Sequence, residues 1–262
     1  MSRNLEKNRN EGQTMKEKLY TIPVNEAFQK ACECPICVMR AELEKNALEY
    51  TIGPSYMEDD VRAETDRLGF CKDHMQKLWE QNNRLGLALM TKTHMEKTIQ
   101  EVRKLAESEK KGGGILQKFV KSEESPLVSY LHQLEHSCFV CERMKNSFER
   151  YLITVYYLWK NEEEFRHIYR DSKGFCNEHY AILMQKASKH LSGRELEDFK
   201  EITSEIYLKN MERVLEDVEW FINKFDYRYR EEPWKNAADA LPRALVKLNG
   251  IITEDMMEKK DS

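Results

Sequence analysis

Two copies of one cysteine and histidine pattern constrain this chain of 262 residues more than any other feature. In each copy a C-x2-C pair is followed, 34 or 35 residues later, by a Cys that opens the sequence C-x2-H after Gly-Phe. The two sets are Cys34, Cys37, Cys71 and His74, and Cys138, Cys141, Cys176 and His179. The segments HMEKTIQEVRKL and NMERVLEDVEWF then follow in the same order. Matched blocks in one order predict an internal duplication.

The duplication predicts five regions along the chain. Residues 21–109 and 126–230 are expected to form two helical repeats, each with its own metal site. A linker containing three consecutive glycines joins them at residues 110–125. Residues 1–20 are expected to be a disordered tail, and residues 231–262 a turn, a short helix and a tail.

The composition favours an all-α fold. Charged residues make up 34% of the chain, and 10 Gly and 6 Pro leave few signals for the many turns of a sheet protein. The fold class that we predict is therefore two tandem, internally duplicated helical units, each pinned by a Cys3His metal site. The predicted helices span residues 38–50, 55–67, a long segment from about 72, 139–160, 162–170, 177–190 and 195–225.

Local signals predict several helix boundaries and one buried face. Ser55 and Glu58 match a capping box, which predicts a helix start at Ser55. Pro242 is expected to interrupt the short C-terminal helix. Helical spacing predicts one buried face on the last long helix, made of Met211, Val214, Val218, Phe221 and Phe225.

Three thiolates and one imidazole are a ligand set that suits tetrahedral Zn2+. Residues three apart share one face of a helix, so Cys71 and His74 are expected to point the same way, as are Cys176 and His179. An out-and-back helical hairpin predicts that the four ligands of each copy converge, giving two zinc ions per chain. Ligands exchanged between the copies are the alternative arrangement, and an iron–sulfur cluster is the alternative metal group.

Three further residues have open roles. Asp73 and Glu178 lie between the ligand Cys and His of each copy, where they either accept a hydrogen bond from an imidazole or stabilise a helix N-terminus. Cys32 has no counterpart in the second copy and is a spare thiol. The sequence Cys-Pro-Ile-Cys also resembles a redox pair, but no βαβ pattern surrounds it.

Charge and hydropathy argue against nucleic acid and membrane as partners. The net charge of -4 and the interspersed Lys and Glu make nucleic acid an unlikely partner. No apolar run approaches the ~20 residues that span a membrane, and the N-terminus lacks the apolar region of a secretory signal. We therefore expect a cytoplasmic protein with reduced cysteines.

Several segments resemble an uncharacterised bacterial family whose function is unknown. They are TIPVNEAF, CPIC, GPSYMEDDVRAETDRLGFCKDH, the second CxxC with GFCNEH, and EEPW with DALPRA. The resemblance runs from about Met15 onward and implies no activity.

No catalytic motif is present, and a Cys3His set leaves a zinc ion no open position. The leading prediction is a zinc-stabilised binding or regulatory protein without catalytic activity, whose protein partner or small ligand is unknown. A redox or iron–sulfur protein is the first alternative. A small-molecule-binding helical protein is the second, because ten aromatic residues could line a groove: Tyr151, Tyr156, Tyr157, Trp159, Trp220, Phe221, Phe225, Tyr227, Tyr229 and Trp234.

Overall fold

The computed structural model describes residues 20–111 and 124–251, and within these ranges all regular structure is helical. The all-α prediction is confirmed. The helices are α1 (residues 20–29), α2 (Pro35–Ile52), α3 (Asp59–Leu68), α4 (Lys72–Glu80), α5 (Arg84–Lys111), α6 (Pro126–Glu135), α7 (Phe139–Asn161), α8 (Glu163–Asp171), α9 (Asn177–His190), α10 (Gly193–Asn223) and α11 (Ala240–Asn249). The predicted N-terminal tail up to residue 19, most of the predicted linker and the last eleven residues lie outside the described ranges.

The long helix expected from residue 72 is interrupted between α4 and α5. Asn83 forms the interruption, because its side-chain oxygen accepts a hydrogen bond from the Gly86 amide at 2.9 Å. Its side-chain nitrogen donates to the Ile52 carbonyl, also at 2.9 Å. Asn therefore satisfies the free amides at the start of α5, a role that its side chain performs well.

The predicted capping box at Ser55 is wrong. Pro54–Met57 forms a short 3-10 turn instead, and α3 begins at Asp59 after Glu58. The Ser55 hydroxyl donates to the carbonyl of Tyr50 and so closes the end of α2. Ser55 therefore binds the C-terminal end of α2 and does not cap the N-terminus of α3, because a hydroxyl can donate a hydrogen bond as well as accept one.

The C-terminal region also departs from expectation. Pro242 lies in the first turn of α11, where a missing amide hydrogen costs no helical bond, and does not interrupt the helix. On α10 the predicted buried face is correct at Val214, whose side chain is 3% exposed. It is wrong at Phe225, which follows the end of α10 and is 77% exposed.

The chain divides into two compact units. Unit 1 comprises Met1–Glu42 and Ser147–Ser262, and unit 2 comprises Leu43–Asn146. Each unit thus combines the C-x2-C pair of one predicted repeat with the G-F-C-x2-H sequence of the other.

Each unit has its own apolar core. In unit 1 large aromatic side chains from α1, α7, α8 and α10 pack together, with Phe28 5.4 Å from the fully buried Tyr169, ring centre to ring centre. In unit 2 the core is smaller and mostly aliphatic, and its most buried members are Leu78, Met90 and Val140. Burying one such side chain stabilises the fold by about 1.5–3 kcal/mol. No helix of the described ranges is both long and apolar enough to cross a membrane.

Candidate metal centres

Four of the predicted ligands meet in unit 1, and this group is called centre 1. It consists of Cys34, Cys37, Cys176 and His179. The Nδ1 atom of His179 lies 3.5 Å from Cys34 Sγ and 3.2 Å from the Sγ atoms of both Cys37 and Cys176. Each of the four residues is at most 4% exposed. Centre 1 is therefore a buried group whose ligand atoms surround a single point.

The other four predicted ligands meet in unit 2 and form centre 2. It consists of Cys71, His74, Cys138 and Cys141. The Nδ1 atom of His74 lies 3.2 Å from Cys71 Sγ and 3.3 Å from the Sγ atoms of Cys138 and Cys141. Cys141 is exposed and Cys71 is half-buried, so this centre has a face open to solvent.

The expected convergence of ligands within each predicted repeat is not what the structure has. Both centres take the C-x2-C pair from one repeat and the C-x2-H pair from the other, which is the alternative arrangement. Helix lengths explain the difference. The outbound α2 has 18 residues and the returning α3 has 10, so they span about 27 Å and about 15 Å at 1.5 Å per residue. A helix of 10 residues cannot retrace one of 18, so the out-and-back hairpin expected from the sequence does not form.

The second predicted repeat has the same imbalance. Its outbound α7 has 23 residues and its returning α8 has 9, about 35 Å against about 14 Å. The equal helix lengths that an out-and-back hairpin requires are absent in both repeats, and each C-x2-H pair meets the other C-x2-C pair instead.

Local sequence places every ligand at a helix N-terminus. Cys71 and Cys176 are the residues immediately before α4 and α9, and each His lies in the first turn that follows. The glycine two residues earlier has a left-handed backbone, with φ of 58° at Gly69 and 80° at Gly174. Glycine adopts that conformation at little cost and so turns the chain sharply into the next helix. Helix N-termini carry partial positive charge, which favours thiolates.

The ligand spacings match a single tetrahedral ion. With Zn–S of ~2.3 Å and Zn–N of ~2.0 Å, a tetrahedron places two sulfurs ~3.8 Å apart and a sulfur and a nitrogen ~3.5 Å apart. The observed S···S distances are 3.5 Å for Cys37–Cys176 and 4.0 Å for Cys71–Cys141, and all ligand atoms lie within 4.8 Å of one another. The seven cysteines are free thiols in the structure.

The pKa values in centre 1 show an unequal sharing of protons. Burial raises the pKa of Cys34 to about 12, and hydrogen bonding with Cys176 also raises that of Cys37. The pKa of Cys176 is lowered, because the thiols of Cys34 and Cys37 donate to its sulfur. One thiolate is thus stabilised by its neighbours, and ionising all three requires a cation in their midst.

In centre 2, hydrogen bonds among neighbouring groups shift the pKa values of Cys138, His74 and Glu44. Burial opposes ionisation of Cys138, but hydrogen bonds from His74 and the backbone lower its pKa to about 6. The His74 imidazole is also desolvated, yet its bonds to Cys138 and Glu44 raise its pKa to about 10. Hydrogen bonding to His74 and Lys77 lowers the pKa of Glu44 to about 2 despite its partial burial. Glu44 is therefore ionised at every pH at which thiolates could hold a metal ion.

The two imidazoles have different outer partners. Glu44 accepts from His74 Nε2 at 3.0 Å and from Lys77 at 2.5 Å. Phe148 follows Cys141 by seven residues, the same spacing as Glu44 after Cys37. Its ring centre lies 5.7 Å from that of His179. Nε2 of His179 is buried without a hydrogen-bond partner among the described residues.

Helix α11 covers centre 1. A Cβ atom on Gly250, which follows α11, would lie 3.4 Å from Cys37 Sγ and 3.7 Å from Cys176 Sγ. Lys247 is 1% exposed; its ammonium donates to the carbonyl of Glu33 at 2.8 Å and to that of Lys173. It also lies 3.4 Å from the Glu33 carboxylate, which Arg213 pairs at 2.5 Å. The backbone on both sides of the centre is thus bound to one buried cation.

The residues with open roles lie outside both ligand groups. Asp73 is exposed, and Glu178 accepts hydrogen bonds from Arg40 at 2.9 and 3.1 Å, not from an imidazole. Cys32 donates to the Ala27 carbonyl at 3.8 Å, and burial raises its pKa to about 11. Sequence reasoning missed Glu44, because the nearest ligand in sequence, Cys37, belongs to the other centre. Nothing in the sequence pointed to Lys247.

The ten aromatic residues do not form one group. Tyr156 and Trp159 are buried in the core of unit 1. Trp220 and Phe221 lie near the end of α10, where they contact Tyr229 and Trp234 with ring centres 5.7 and 6.0 Å apart, respectively. Phe225 and Tyr227 are exposed. These positions give no support to one groove lined by all ten.

Comparisons with known proteins identify a family but no activity. A family model described as "Family of unknown function (DUF6062)" matches residues 15–255. No curated protein and no solved structure matches the chain.

Proposed function

We propose, for a chain that belongs to this family of unknown function, that two zinc ions hold its helices together and that it acts as a binding or regulatory protein without catalytic activity. The observation that carries the proposal is the presence of two Cys3His groups with the spacing of one tetrahedral ion. Both groups join the N-termini of helices that are distant in sequence.

The donor set supports zinc and a structural role. Three thiolates and one imidazole fill all four positions of a tetrahedral ion, so neither water nor substrate has a place to bind. In each centre Nδ1 is the histidine atom nearest the sulfurs, which leaves Nε2–H of His74 to donate to Glu44. A carboxylate behind a ligating imidazole fixes its tautomer and raises its basicity.

The same spacings argue against an iron–sulfur cluster. In a [4Fe–4S] cluster each ligand binds a different iron atom, and in a [2Fe–2S] cluster two ligands bind each iron; in both, bridging sulfides hold the ligand atoms of different irons apart. Here the four ligand atoms of each group lie within 4.8 Å of one another, which leaves room for one ion. A cluster would need each group to expand.

Elemental analysis of freshly purified protein tests the proposal. We expect about two zinc ions per chain and about one in Cys71→Ser or Cys176→Ser. Cys32→Ser is the matched control, since Cys32 belongs to neither group and should leave the zinc content unchanged. Protein that contains no stoichiometric metal would refute the proposal, and iron with a visible absorption band would favour the iron–sulfur alternative.

A further inference from the structure

Unit 1 contains a cavity of about 900 Å³ whose lining includes no ligand of either metal centre. Its walls are α10, the loop after α8 and residues 235–243 before and within α11. Its volume lies within the range of small-molecule sites. The segment that contains DALPRA thus forms a wall of this cavity, although it supplies no metal ligand.

Two arginines of the lining are held in place by other protein groups. Arg243 donates to Asp217 at 2.7 Å, to Asp239 at 2.9 Å and to the Asn236 carbonyl, which occupies all three of its nitrogens. Arg213 donates through Nε to Asn210 at 3.0 Å and through Nη2 to Glu33 at 2.5 Å. Its Nη1 has no hydrogen-bond partner among the described residues. Arg213 is therefore held in position by two hydrogen bonds, and its Nη1 group is available to donate to a ligand.

Further cations surround these arginines. The lining holds six basic residues and four acidic ones, and two of the acids, Asp217 and Asp239, are bonded to Arg243. Lys173 and Lys209 are exposed lining residues that form no ion pair with any described residue. The excess of positive charge stands out on a chain whose net charge is -4. A local cationic field of this kind attracts anions.

Lys235 adds an unusual backbone conformation to the lining. Among described residues it is the non-glycine residue with positive φ, at 52°. Its ammonium lies 3.7 Å from the ring centre of Trp220, a cation–π contact. Residues other than glycine rarely adopt this backbone conformation, and those that do cluster at ligand sites. The fold thus keeps a lysine at the cavity despite the cost to its backbone.

We propose that this cavity binds a small organic anion through phosphate or carboxylate groups, with Lys173, Lys209, Arg213 and Lys235 as its cationic contacts. Ile202 and Ala238 also line the cavity, so the ligand has an apolar part beside its charge. Ammonium and guanidinium groups bind such oxygens by charge-assisted hydrogen bonds.

Titration of the zinc-loaded full chain with pyrophosphate or citrate tests this proposal. Because Trp220 lies against Lys235, its fluorescence reports on binding, and the melting temperature gives a second measure. We expect saturable binding that weakens with added salt, since the contacts are electrostatic. Saturation by pyrophosphate alone indicates a phosphate ligand, and saturation by citrate alone a carboxylate ligand.

Three lining variants and one control complete the test. Lys173→Glu and Lys209→Glu should each weaken binding by about tenfold or more, the usual worth of a hydrogen bond to a charged group. Lys235→Gly keeps the backbone conformation without strain and removes the ammonium, so binding should weaken while the melting temperature is retained. Lys189→Glu makes the same charge change on α9 outside the cavity and should leave affinity unchanged. Absence of saturable binding, or equal weakening by the control, would overturn the proposal.

Discussion

Centres 1 and 2 have the same ligand types in the same geometry, yet their surroundings differ. The ligands of centre 1 are at most 4% exposed and lie under α11, whereas Cys141 of centre 2 is exposed. The imidazole of centre 2 has a carboxylate partner, and that of centre 1 lies against a phenyl ring. The comparison teaches that the ligand pattern sets the coordination, while elements outside the pattern set burial.

The backbone beside each centre shows how this difference arises. In unit 2 the Phe139 amide donates to the Gly69 carbonyl at 3.0 Å, and the Ser137 hydroxyl donates to the Leu68 carbonyl at 2.7 Å. In unit 1 the residue that corresponds to Phe139 is Pro35, which has no amide hydrogen to donate. Lys247 of α11 supplies a donor there instead. Lys173 corresponds to Leu68, so the C-terminal helix supplies in unit 1 the hydrogen bond that Ser137 supplies in unit 2.

The largest expected effect separates the two centres by ligand removal. Cys176→Ser and Cys71→Ser change equivalent residues, each immediately before a helix. Both discard part of a metal-binding free energy on the order of 10 kcal/mol. Cys176→Ser should destabilise the protein more, because it also leaves a buried hydroxyl and buried thiols without a cation. Urea unfolding with zinc present measures the difference, and equal losses would contradict the distinction between the centres.

An intermediate effect is expected at the buried cation. Lys247→Met removes one of the two cations that pair the Glu33 carboxylate and leaves two buried carbonyls without their donor, and should cost about 3–5 kcal/mol in free energy of unfolding. It should also speed the loss of zinc from centre 1 to a chelator. Ser137→Ala in unit 2 is the matched comparison and should cost only about 1 kcal/mol. If the two substitutions proved equally mild, α11 would not stabilise centre 1.

The smallest expected effect concerns the carboxylate behind His74. Glu44→Leu should weaken zinc binding at centre 2 by about 10–100-fold, because the imidazole loses the acceptor that fixes its tautomer. Competition with a chromophoric chelator measures this affinity. Glu178→Leu is the control at centre 1, since that carboxylate binds Arg40 rather than an imidazole. An affinity unchanged by Glu44→Leu would show that the hydrogen bond does not tune the ligand.

Much of the local structure could be predicted from short-range patterns. The range predicted for α9, residues 177–190, agrees at both ends, whereas that for α7 differs by one residue at its C-terminal end and that for α8 by one residue at each end. The predicted helix boundaries were wrong where a polar side chain can bind either the end of one helix or the start of the next. Ser55 serves the end of α2 rather than the start of α3, and Asn83 interrupts a helix that periodicity alone continues.

By itself the sequence determined which side chains can act as ligands, because C-x2-C and C-x2-H place donor atoms on one turn of chain whatever the rest of the fold does. Only the tertiary structure decided which pairs meet. That depends on the unequal lengths of α2 and α3 and of α7 and α8, which no local pattern records. Likewise, only the packing of α11 brought Lys247 to Glu33, 214 residues away. Local spacing thus specified the ligand chemistry, and long-range packing specified pairing and burial.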